Sequence, residues 1–198
     1  MEVSKSIKVK DSKQQSSGEY LYDFISNLNK RLKEEFPDRN VMDLPKIMFV
    51  SVNAGIGKEF IKDKSYLEFA ESVISKITGQ KPDRRLARKS ISNFKLREGM
   101  IVGLVSTIRG KRMIDFIIRL NSIAIPRTRD FRGLSDKSFD KHGNYSIGIR
   151  DFRIFPETAD IDVTRSMGLQ VNVVIRSKSV EDSKKLLKIW GFPIKDSD

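Results

Sequence analysis

Apolar residues recur at two distinct periods along the chain. Leu21, Phe24, Ile25, Leu28, Leu32 and Phe36 fall three or four residues apart, which predicts an amphipathic helix over Tyr20 to Glu35, stopped before Pro37. Tyr66, Phe69, Ala70, Val73, Ile74 and Ile77 predict a second, opened at Ser65 with Glu68 at capping-box spacing and ended at Gly79. A third runs from Met113 to Ala124 before Pro126, and a fourth from Val180 to Trp190, opened by Ser179 and closed by Gly191 and Pro193. Between them lie β-rich runs. Lys46 to Asn53 is bounded by Pro45 and Gly55, and further strands are expected at Ala87 to Phe94, Val102 to Arg109, Ser146 to Phe152 and Leu169 to Ser177. Arg127 to Tyr145 reads as a long polar loop.

The order α-β-α-β-β-α-loop-β-β-α lacks the strict alternation of a doubly wound parallel sheet. It implies an α+β fold, a mainly antiparallel sheet with helices packed on one face and the other face left open, basic and suited to RNA. No repeat or internal linker divides the chain. Residues 1–17, rich in Lys, Ser and Gln, read as a disordered tail, and 18–198 as one domain.

Composition narrows the chemistry. The chain has 198 residues, 38 Lys and Arg against 26 Asp and Glu, one His and no Cys, for a net charge of +12. Without Cys there is no disulfide framework, thiolate nucleophile or sulfur-ligated metal site, and a lone His142 leaves little for a His-based centre. No cofactor is expected. The most apolar stretch, Met113 to Ile125, is interrupted by Asp115, Arg119 and Asn121, so no membrane span is expected either.

The positive charge is localised. Lys81 to Arg112 holds ten bases against two acids, and Arg127 to Arg153 seven against four. These segments alternate with Phe94, Phe131, Phe139, Tyr145 and Phe152, a pattern expected of a face that binds a polyanion. Arg84, Arg85, Arg88 and Lys89 crowd into six residues after Gly79-Gln80-Lys81-Pro82, an exposed loop able to lie along phosphates. Thr107 and Arg109, two apart on a strand, share one face and offer a hydroxyl and a guanidinium for sugar and phosphate contacts.

Other motifs fail on spacing. Asn53-Ala54-Gly55-Ile56-Gly57-Lys58 follows a strand but lacks the four residues a Walker loop needs between its first Gly and the Gly-Lys pair, and Glu59 stands where Ser or Thr belongs. No acids show metal-ligand or acid/base spacing. Three readings remain: an RNA-binding structural protein, an RNA-processing enzyme sharing the basic face, and an interaction module for acidic proteins.

Specific motifs separate them. Ile77-Thr78-Gly79-Gln80-Lys81-Pro82, Phe94-Lys95-Leu96-Arg97-Glu98-Gly99-Met100, the RDFRGL core of Arg127 to Leu134, and Gly143-Asn144-Tyr145-Ser146-Ile147-Gly148-Ile149 occur in order between about Leu21 and Pro193. Together they closely resemble the family of large-subunit ribosomal proteins numbered five in the bacterial scheme. Ile154-Phe155-Pro156-Glu157 resembles its bacterial and organellar branch. The resemblance implies a non-enzymatic protein that anchors 5S rRNA in the central protuberance beside 23S-type rRNA and neighbouring 5S-binding proteins, as a monomer within a ribosome of the cytoplasm or an organelle matrix.

It also implies roles for residues. Asn53, Gln80, Thr107 and Arg109 match family positions for 5S rRNA binding. The loop from Gln80 to about Ser92, with Lys81, Arg84, Arg85, Arg88 and Lys89, resembles an arm toward P-site tRNA. Arg127, Arg129, Arg132, His142 and Tyr145 are candidates for other RNA contacts or for a bridge to a small-subunit head protein. The chain departs from the family's usual pattern at Ala54, Asn93 and Lys141-His142.

Overall fold

A computed structural model describes residues 17–128, 131–161 and 164–195. The tail expected over 1–17 lies outside them except for Ser17, which opens the first helix. That helix, α1, spans Ser17–Glu35, and β1 follows at Lys46–Gly55. A short α2 at Gly57–Lys62 leads into α3 at Tyr66–Thr78, and β2 is confined to Asp83–Leu86. Then come β3 at Ile101–Ile108, α4 at Gly110–Arg119, β4 at Tyr145–Ile149, β5 at Leu169–Arg176 and α5 at Val180–Ile189. The expected α+β architecture is present.

The five strands form one sheet in the order β2-β3-β1-β5-β4, every neighbouring pair antiparallel. Side chains alternate along each strand, so one face is apolar: Val50, Val52 and Ala54 from β1, Leu104 and Ile108 from β3, Val171 and Val173 from β5, Ile147 from β4. Helices cover that face. Ala70, Val73, Ile74 and Ile77 come from α3, Phe116 and Ile117 from α4, Leu186 and Leu187 from α5, all at 9% exposure or less. Burial on this scale is the main stabilising contribution, at about 25 cal/mol for each Å² of apolar surface removed from water.

Several local expectations give way. The strand expected at Ala87 to Phe94 is an arm: Ala87 N donates to Met100 O at 2.8 Å, Gly99 N to Ala87 O at 3.0 Å, and the tip is a 3-10 turn at Ser92–Phe94. Past the register shift between Arg85 and Leu86 the continuous ladder with β3 gives way to these bonds and a single Ile91–Leu96 bridge. Ser65 does not form the expected capping box. Its hydroxyl donates to the Asp63 carboxylate at 2.7 Å, drawn away from the helix end by that acid and by Arg165. After Arg119, α4 widens into a π-helical turn over Leu120–Ala124, ahead of Pro126. Gly79 ends α3 at φ +67, the left-handed conformation that glycine adopts without a Cβ penalty.

Ion pairs tie the segment around the end of α1 to that around α5, among them Arg39 with Asp182. Arg39 donates to both oxygens of Asp182, at 2.9 and 3.2 Å, and Asp182 lies buried in the first turn of α5. Burial pushes its carboxyl up, but the bonds from Arg39 and Ser179 outweigh this and hold it below the usual carboxylate range. A lowered folded pKa contributes stability that is complete above the unfolded value, near 3.9, and is lost as pH falls through the folded value. Urea midpoints should therefore drop below about pH 4, and Asp182→Asn should flatten that acid limb. An unchanged acid limb in the variant would remove Asp182 as its source.

Candidate nucleic-acid interface

Helices on one side leave the other side of the sheet open, and the register decides what stands there. Ser51 of β1 pairs with Thr107 of β3 and with Asn172 of β5, which pairs in turn with Ser146 of β4. The next row holds Asp83, Val105, Asn53, Gln170 and Gly148. Within each of two strands the polar side chains join: Ser51 Oγ donates to Asn53 Oδ1 at 3.2 Å, and Gln170 Nε2 to Asn172 Oδ1 at 3.0 Å. A shallow groove of about 440 Å³ follows the second row between Asn53, Gln170, Gly148 and Arg150. At Gly55 and Gly148 a Cβ would meet nothing within 4 Å, so backbone is accessible there.

The open face is less basic than the sequence suggests. Its centre is neutral and hydrogen-bonding, and the cations stand around it: Arg109, Arg150, Arg176 and Lys46 are all exposed. Arg109 follows the last residue of β3, with its guanidinium carbon 4.9 Å from the centre of the Phe49 ring, a cation-π contact that holds the charge at the sheet's end. The two cationic segments do not merge into one patch. The arm after β2 lies at one edge of the sheet and the loop before β4 at the other, four strand spacings or about 19 Å apart.

Asn53, Thr107 and Arg109 are thus brought to the open face. Gln80 stands outside the sheet, exposed just past α3. Its backbone N–H and carbonyl both bond Thr78 Oγ1, at 3.3 and 3.0 Å, and the chain runs on through Lys81 into β2, where Asp83 faces Val105. Arg88 and Lys89 are exposed on the arm and form no ion pair with a described residue. Arg84 departs from the expected loop. It lies in β2 and turns toward the helices, where its Nε meets Glu71 Oε1 of α3 at 2.5 Å. Arg85 also lies in β2, opposite Gly103, with Nη2 3.5 Å from Asp83.

At the other edge, Arg127 and Arg132 are exposed and Arg129 lies outside the described residues. His142 is exposed in a turn closed by Asp140, whose Oδ1 accepts from the amides of His142 and Asn144 at 2.9 and 2.8 Å. Burial raises the Asp140 carboxyl, but the bonds from Asn144 and His142 bring it below its ordinary value. Tyr145 is not a surface contact. Its ring is buried against Phe139, 4.6 Å between centres, and its hydroxyl donates to Ser135 O at 2.8 Å. It begins β4 on the core side, so pairing with Val173 turns it inward. Phe152 is buried and Phe131 and Phe139 pack against the core, so of the aromatics alternating with the bases only Phe94 is exposed.

Sequence reading missed Ser51, Gln170, Asn172 and Ser146. The polar-apolar alternation of Leu169-Gln170-Val171-Asn172-Val173 carries the signal for two of them. Among the described residues no three His, Cys, Asp or Glu side chains converge on a metal-sized site, and no helix is long and apolar enough to cross a membrane.

Comparison with known families gives the class of this helix-backed antiparallel sheet: it is that of a ribosomal protein. Residues 101–194 match a family model described as the C-terminus of the ribosomal L5 family, and residues 40–97 one described as ribosomal protein L5. The chain is 44% identical to the large ribosomal subunit protein uL5 of Corynebacterium diphtheriae, across 88% of this chain and 93% of the relative. For the uL5 proteins of Syntrophomonas wolfei and Chlorobaculum tepidum the figures are 46 and 47%, over 83% of this chain and 92 and 90% of theirs. The chain belongs to the L5 family, as a structural constituent of the large ribosomal subunit rather than an enzyme.

Proposed function

We propose that the protein binds 5S rRNA through the open face of its sheet and anchors it in the central protuberance. The observation that carries this reading is the row of uncharged hydrogen-bonding side chains, Ser146, Asn172, Ser51 and Thr107, with Asn53 and Gln170 beside it, between exposed cations. Asn53, Thr107 and the outlying Gln80 bond sugars or unstacked bases, while Arg109 engages phosphate. A folded RNA suits a broad, shallow surface, which a small substrate would leave mostly unfilled. Lys81, Arg85, Arg88 and Lys89 form the cationic edge and arm directed to P-site tRNA. Arg127, Arg129, Arg132 and His142 serve 23S-type rRNA or the bridge to a small-subunit head protein, beside neighbouring 5S-binding proteins. The protein acts as one copy per ribosome.

Binding of this kind proceeds by counterion release plus shape. With about five phosphates engaged, a plot of log affinity for 5S rRNA against log salt should fall with a slope near −4. Arg109→Ala should weaken binding by about 1–3 kcal/mol and make the slope shallower by about one, with thermal unfolding unchanged. Equal affinity for 5S rRNA at low and high salt would refute the proposal.

A further inference from the structure

The arm ends in a feature that charge does not explain. Phe94 is 65% exposed at its tip, the one aromatic among the large apolar side chains exposed on the described residues. The ring is not on a frayed loop. Ile91 and Leu96 exchange backbone hydrogen bonds at 3.0 and 3.1 Å, Phe94 N donates to Ile91 O at 3.3 Å, and Lys95 N to Ser92 O at 2.9 Å. Lys95 takes φ +53, the only non-glycine residue at positive φ among the described residues, and this left-handed step closes the turn directly after the ring. Ile91 on the arm and Ile61 across the adjoining cleft are exposed with it, so the ring belongs to an apolar patch rather than standing singly, and the strained turn that fixes it is the kind of local geometry kept for a contact.

Phe94 borders a cleft of about 510 Å³ between the arm tip and the segment after β1. Phe94, Ile61, Leu96 and Val102 give the cleft largely apolar walls, and Asn93, Lys58 and Lys95 are polar residues beside them. Glu59 also lines the cleft, but its carboxylate is held by Lys62 at 3.3 Å, which leaves the two lysines dominant. A π face, an amide and two ammonium groups match an unstacked nucleobase with its phosphates: the ring stacks, the amide meets a base edge, and the lysines neutralise the backbone. An apolar protein segment would cover the carbon walls but leave Lys58 and Lys95, both exposed, without the anionic partner that a phosphate supplies.

We infer that this cleft receives one unpaired nucleobase of 5S rRNA, stacked on Phe94. The inference rests on the proposed 5S rRNA reading and extends it from the sheet face to the arm. The RNA is 5S rRNA because Gly55 lines both this cleft and the groove that holds Asn53 and Gln170, so a strand leaving the sheet face at that end meets Phe94 next.

The test is equilibrium binding of purified 5S rRNA, and separately of tRNA, to the full chain carrying Phe94→Ala, Phe94→Leu or Phe94→Tyr. Phe94→Ala and Phe94→Leu should each lose about 5- to 150-fold in 5S rRNA affinity, the worth of one stacked base. Phe94→Tyr, which keeps the π face, should stay within roughly twofold, and none should alter the salt slope, since no cation is removed. Probing 2′-hydroxyl reactivity should reveal a loop nucleotide of 5S rRNA whose change on wild-type binding is missing with Phe94→Ala. The exposed ring makes circular dichroism and thermal unfolding indifferent to all three variants. Wild-type 5S rRNA affinity in Phe94→Ala overturns the inference and leaves the sheet-face reading intact. A loss confined to tRNA, or Phe94→Leu binding as well as wild type, overturns it too. Salt-independent 5S rRNA binding by the wild-type chain overturns both.

Discussion

Ser51→Glu is expected to cost about 3 kcal/mol or more of 5S rRNA affinity, a loss of roughly a hundredfold or beyond, without unfolding the protein. Ser51 sits at the middle of the open face, between Thr107 and Asn172, and its hydroxyl bonds its strand neighbour Asn53. On the proposed reading a carboxylate there would lie under the bound RNA, within the field of its phosphates and cut off from screening salt. Its energetic cost to the fold is small because the side chain is half-buried on the solvent side of β1. The measurement is a filter-binding titration at fixed salt, paired with urea unfolding. Undiminished affinity would mean that RNA does not cover this face, whatever the arm and the β4 edge bind.

The opposite face gives the opposite result. Phe152→Ala should destabilise the protein by about 3–5 kcal/mol through lost burial and the cavity left behind. Phe152 is fully buried, its ring 5.7 Å from Phe69 of α3 in an edge-on contact. Its backbone N–H donates to Met167 O at 3.1 Å and its carbonyl accepts from Phe155 N, also at 3.1 Å, so the surrounding turns cannot collapse freely onto a cavity. The urea midpoint should fall with its slope unchanged, while 5S rRNA affinity measured on folded protein should hold. A loss below about 1 kcal/mol would mean that the site refills, against the packing seen here.

The two faces also explain which parts of the chain could be read in advance. Helices α1, α3 and α5 and strands β1, β3 and β5 were legible because each buries one side, and burial imposes a period of 3.6 or 2 on the residues themselves. The six-residue α2 is too short to display a period, and the arm from Ala87 to Met100 resembles a strand in composition but has only β3's continuation to bond with. Among site residues, Thr107 and Arg109 followed from alternation. Gln80 adjoins the cationic segment that begins at Lys81, whereas Asn53 follows from family resemblance alone. Tyr145 looks exposed in its polar stretch until the core is placed beside it, while Arg84 is exposed as expected but lies in a strand and is paired with Glu71, a carboxylate that the local sequence does not contain.

By itself the sequence determined the α+β class, the absence of thiol chemistry, the two cation-rich segments and the motifs of the L5 family, because these are properties of composition and local order. Only the tertiary structure decided that Ser51, Asn172 and Ser146 join Thr107 in one row, that the two cationic segments stand at opposite edges of the sheet, and that Phe94 alone among the interleaved aromatics faces water. Strand order and register are set by pairing between residues far apart in the chain, more than a hundred residues for Ser51 and Asn172. No local window contains both partners of such a pair, so the face they build comes into being only when the sheet closes.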